Sequence, residues 1–92
     1  MKTLLLYRPK SEHASMVESY LRDFKMQTGK ELKTLDVDSP EGMELCRLYD
    51  IMRYPAIIAT DDEGRVQNAW VGEQLPRIGE VSYYVGDGPP KV

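Results

Sequence analysis

An α/β domain of order βαβ-α-ββ-α, with a four-stranded mixed sheet flanked by helices, is predicted by three features of this chain. The continuous apolar run Thr3 to Tyr7 suits a strand buried on both faces. Val17, Tyr20, Leu21 and Phe24 then recur at helical spacing, with Glu18, Arg22, Asp23 and Lys25 on the other faces. Finally, the runs from Pro55 to Thr60 and from Arg65 to Val71 flank the turn Asp61-Asp62-Glu63-Gly64 and read as an antiparallel hairpin. Strands alternate with helices first and pair directly afterwards, so the sheet is mixed.

Each element has its own local grounds. Pro9 bounds the first strand. The first helix is expected from Ser11 or Ser15 to about Thr28, closed by Gly29; Ser15 has the capping-box spacing to Glu18, and Ser11 would cap an earlier start. Glu31 to Val37 reads as the second strand, with Leu35 and Val37 on one face. Asp38-Ser39-Pro40-Glu41 offers a cap, a first-turn proline and an acid where a helix N-terminus favours one. The second helix should run to Tyr49 with Leu45, Leu48 and Tyr49 as its apolar stripe and Glu44 and Arg47 outside. Pro76, Ile78, Val81 and Val85 suit a short closing helix ended by Gly86. The domain is therefore expected over residues 1–85, followed by a flexible tail over 86–92 with almost nothing to bury.

Composition narrows the function. The chain has 92 residues, 41% of them hydrophobic, which fits one domain with one modest core. A net charge of −3 with scattered Lys and Arg leaves no footprint for nucleic acid. Leu4-Leu5-Leu6 is too short for a signal segment or a membrane span, so no membrane association and a cytoplasmic location are expected. One cysteine, Cys46, and one histidine build neither an internal disulfide nor a structural zinc site, and no cofactor is expected.

Four segments in register carry a resemblance: Leu35-Asp36-Val37-Asp38, Tyr49-Asp50-Ile51, Tyr54-Pro55 and the hairpin ending at Val71-Gly72. They resemble the thioredoxin superfamily, over roughly residues 2–85. The resemblance implies a thioredoxin-like fold, a cis peptide bond before Pro55, and a groove facing the N-terminus of the first helix. It also implies that the family's two cysteines fall on Ser11 and Ala14 and its buried acid on Leu5. Disulfide exchange requires a thiolate at that helix start and a second thiol to resolve the mixed disulfide, so a thiol-disulfide oxidoreductase is excluded.

What the resemblance leaves is the groove. In the family, the backbone N–H and C=O of the residue before the proline pair with an extended peptide or with glutathione, and here Tyr54 would supply them. The expected site is Ser11, His13, Arg53, Tyr54 and Pro55, serving a redox-inactive, non-catalytic binding module for a protein or extended peptide. A glutathione-binding or transferase-like protein using the hydroxyl of Ser11 or Tyr7 is the alternative, and a structural scaffold element pairing through a sheet edge is a third. Ser11 is also a preferred helix cap, and His13 reads as a solvated first-turn residue. Cys46 is expected to be a small buried hydrophobe away from the groove, Trp70 a core residue, and Asp61-Asp62-Glu63 a solvated turn.

Overall fold

A computed structural model describes residues 2–72 and 74–85. Its elements run β1 (Lys2–Tyr7), α1 (Ala14–Thr28), β2 (Lys33–Asp36), α2 (Pro40–Leu48), β3 (Ala56–Thr60), β4 (Val66–Val71) and α3 (Ile78–Ser82). The sheet order is β2-β1-β3-β4. β1 runs parallel to β2 and antiparallel to β3, and β4 returns antiparallel to β3, so the mixed sheet follows the predicted order. The expected tail over 86–92 and the helix stop at Gly86 lie outside the described residues.

The two central strands are buried on both faces, which is why they read as apolar runs without alternation. Leu5 and Ile57 turn to one side, where Val17 and Phe24 of α1, Leu32 and Val81 of α3 complete a core. Leu6, Ala56 and Ile58 turn to the other, against Val37, Cys46 of α2 and Ile51. The sheet is thus a middle layer between α1 with α3 and α2. The Tyr20 hydroxyl donates to the Pro76 carbonyl at 2.9 Å, fastening the approach to α3 onto α1.

Several local expectations are corrected. Neither serine caps α1: its first flanking residue is His13, whose side chain makes no capping bond, and Ser15 lies inside the helix. The Ser11 hydroxyl is drawn instead to the Arg8 carbonyl at 2.6 Å, a local bond of the kind that competes with capping. β2 is shorter than expected, and Leu32 and Val37 are buried beyond the ends of the strand. On α2 the expected stripe is rotated. Leu48 is 66% exposed, while Gly42 and Cys46 face the sheet with Leu45 half-buried. A nine-residue helix carries too few apolar positions to fix its inner face from spacing alone. The Ser39 hydroxyl does cap α2, accepting from the Gly42 N–H at 3.0 Å. α3 has only five residues, and Val85 packs on the first core from beyond it.

Gly42 is where α2 and β2 approach most closely. A Cβ there would overlap the Asp36 carbonyl oxygen and lie 3.0 Å from the Val37 Cα, both backbone atoms that cannot swing aside. We predict that Gly42→Ala destabilises the fold by about 2 kcal/mol or more, read as a lower urea midpoint. Gly79→Ala, which adds a Cβ to open space, should leave the midpoint unchanged or raise it.

Candidate functional site

All four strands end or begin at one edge of the sheet. Leu6 lies opposite Ala56, Tyr7 beside Asp36, and Ala56 opposite Val71, so the segments after β1, after β2, before β3 and after β4 converge there. In open α/β sheets, ligands bind outside the C-terminal ends of parallel strands. Arg8, Ser11, His13, Asp38, Arg53, Tyr54 and Pro55 all lie on these converging segments.

Arg8 organises the group. Its guanidinium grips Asp38 through two bonds, Nε to Oδ2 at 2.9 Å and Nη2 to Oδ1 at 3.2 Å. It also lies over the Tyr54 ring, 5.5 Å from the centroid. The Arg8 hydrogen bond and positive charge hold the Asp38 carboxyl below the usual carboxylate range. Neither residue stood among the sequence-predicted site residues. Their meeting depends on the parallel register of β1 and β2, and the available signal was their position just after two adjacent strands.

The Arg8 main chain matters as much. The register that sets Leu6 opposite Ala56, carried on by two residues, would set Arg8 opposite Tyr54. The ladder stops short of that pair. The Arg8 N–H donates instead to His13 Nε2 at 3.3 Å, and its C=O accepts from the Ser11 N–H at 3.2 Å and from the Ser11 hydroxyl at 2.6 Å. Ser11 and His13 therefore satisfy the backbone groups that Tyr54 would otherwise meet. The Tyr54 N–H and C=O make no hydrogen bond among the described residues.

Around this opening the remaining residues take defined places. The peptide bond from Tyr54 to Pro55 is cis, and the Pro55 carbonyl accepts the Gly72 N–H at 2.9 Å. Arg53 is exposed, with its guanidinium beside Gly72. The Tyr54 side chain turns inward, its hydroxyl donating to the Ile51 carbonyl at 3.4 Å. Burial, and then the neighbouring Cys46 thiol, push the Tyr54 phenol up. Cys46 is buried as expected, yet it lies behind Tyr54 rather than away from the groove, because α2 presents it to the sheet face on which Tyr54 packs.

Neither hydroxyl proposed for thiol activation is arranged for it. The Ser11 hydroxyl is spent on the Arg8 carbonyl, and the Tyr7 phenol is pushed up by burial and then by Glu18 and Asp36, away from the ionised form. Among the described residues no His, Cys, Asp and Glu cluster could hold a metal ion, and no helix is long and apolar enough to cross a membrane.

No family model and no curated protein matches the chain. Among solved structures, it is similar to thioredoxin 1 from the thermophilic eubacterium Thermosipho africanus TCF52B, with a TM-score of 0.60 and 15% sequence identity over 91% of this chain and 89% of that one. At that identity the likeness establishes the fold, which is thioredoxin-like. The chain's single cysteine leaves no place for a CxxC pair.

Arg8→Ala should return the Asp38 carboxyl upward to the ordinary range, read by carbon-detected NMR titration of its side chain. The sign for stability follows from the lowered native value: the Arg8–Asp38 pair contributes above the ordinary carboxylate range and is lost as pH falls through the native value. In Arg8→Ala that part of the acid dependence should vanish. An Asp38 titration unchanged by the substitution would contradict the assignment.

Proposed function

We propose that this thioredoxin-like domain is a redox-inactive binding module that takes up an extended segment of a protein or peptide at Tyr54. The observation that supports this reading is the pair of Tyr54 backbone groups that have no partner among the described residues, set where β1 turns away and its Arg8 N–H and C=O are already satisfied. An incoming strand would donate to the Tyr54 C=O and accept from its N–H, the mode in which main chain supplies affinity and side chains supply selection.

The side chains placed to select are Arg8 and Arg53, with Asp38 coupled to the first through their ion pair. Chemistry has little to work with at this edge. Ser11 stands at a position where the family resemblance implies a cysteine, and the only thiol in the chain is buried behind Tyr54. A serine hydroxyl cannot replace a thiolate in disulfide exchange. The net charge of −3 favours basic segments through the general field of the molecule.

The test is a backbone scan of a bound peptide. Peptides selected on the immobilised chain are resynthesised with one amide N-methylated at a time and titrated into the isotope-labelled protein. We expect the largest amide shifts at Tyr54, Arg8 and residues 11–14. One or two N-methyl positions should weaken binding about tenfold, the equivalent of losing a main-chain hydrogen bond. A flat scan, or shifts centred elsewhere on the sheet, would overturn the proposal.

A further inference from the structure

The face of the sheet opposite Tyr54 carries a hollow walled by three aromatic rings. Trp70 of β4 packs partly onto the core shared with α1 and α3, so the expectation that it is a core residue accounts for part of its surface. Against it stands Tyr84, tilted 67° with centroids 5.7 Å apart, and Tyr83 stands at 88° to Tyr84 at 5.0 Å. Asn68 and Glu80 complete the lining. Tyr83 is 79% exposed, so the hollow opens to solvent.

Long-range bonds hold the segment that brings two of these rings together. Thr3 Oγ1 donates to the Tyr84 carbonyl at 3.1 Å, and the Lys30 ammonium donates to the carbonyls of Ser82 and Val85, each at 3.2 Å. Asn68 Nδ2 donates to the Tyr84 hydroxyl at 3.3 Å, so the Tyr84 residue is tied at its backbone and at its far end. Tyr84, fixed before a ligand arrives, loses little freedom when one binds.

Aromatic rings lining a hollow attract a positive charge wherever a ring face is open to it, and the Glu80 carboxylate in the same lining adds a formal negative charge. An unmethylated ammonium is strongly hydrated and resists leaving water, whereas a methylated one spreads its charge over an apolar surface that fits against ring faces. We propose that Trp70, Tyr83, Tyr84 and Glu80 form a binding site for a quaternary ammonium group, of the chemistry shared by choline and a trimethylated lysine side chain. The site is separate from the Tyr54 groove and stands or falls independently of it.

Trp70 is the chain's only tryptophan, so its fluorescence reports occupancy of this hollow directly. The full chain is titrated with choline, with a blocked trimethyllysine, with the corresponding unmethylated lysine, and with the neutral tert-butyl isostere of choline. A saturable change is expected with choline or trimethyllysine, about tenfold weaker with the neutral isostere and with unmethylated lysine. Preference for choline would identify a small-molecule source, and preference for trimethyllysine a modified side chain; either supports the site. Tyr83→Ala, which removes an exposed ring, should weaken binding about tenfold, while Tyr83→Phe keeps it and Glu80→Gln reduces it. Absence of a saturable response to both cations, an equal response to the isostere, or full binding by a folded Tyr83→Ala would overturn the proposal.

Discussion

Burial of the β1–β3 pair on both faces is the constraint from which the remaining structure follows. Leu5, Leu6, Ala56, Ile57 and Ala59 are fully buried, and alternate residues of each strand serve different cores. A register slip of one residue would send every one of those side chains to the wrong core, so the pairing is tightly specified. Specification of the register also fixes which residues stand at its ends. Tyr7, Asp36, Ala56 and Val71 arrive at one edge together, and the loops leaving that edge meet without any further design.

What those loops do there depends on one interruption. Two more paired residues would bring Arg8 against Tyr54 and close the edge. Ser11 and His13 prevent this by satisfying the Arg8 main chain inside its own loop, and Arg8 then reaches sideways to Asp38 and over the Tyr54 ring. The Arg8–Asp38 pair is exposed on both sides, so its contribution to stability is small and its main effect is to position Arg8. Ser11 and His13 thus shape this edge of the sheet through the backbone groups they occupy.

The architecture was legible in the sequence because its signals are local. Apolar runs marked β1 and β3, helical spacing marked α1, and the Asp61–Gly64 turn marked the hairpin, where Asp61 Oδ1 indeed accepts the N–H of Glu63 and of Arg65. Tyr54 and Pro55 could be singled out because they precede an apolar strand in a recognisable order. Less legible was whatever depends on two segments meeting. Ser11 had a local alternative to capping that spacing does not reveal. The inner face of α2 was decided by the close approach of Gly42 to β2, so Cys46 rather than Leu48 turned inward. Arg8 and Asp38 are thirty residues apart and paired only through the register of parallel strands. The aromatic hollow was hidden for the same reason, since Trp70 and the two tyrosines come from separate elements.

Amide hydrogen exchange at Tyr54, measured residue by residue on the free protein under native conditions, tests the central claim most directly. The account predicts that the Tyr54 N–H exchanges near the rate of an unstructured amide, while the Gly72 N–H, bonded to the Pro55 carbonyl close by, is strongly protected. Protection of Tyr54 comparable to that of Gly72 would mean that its N–H is already engaged within the fold, and the account of an open strand end would be wrong.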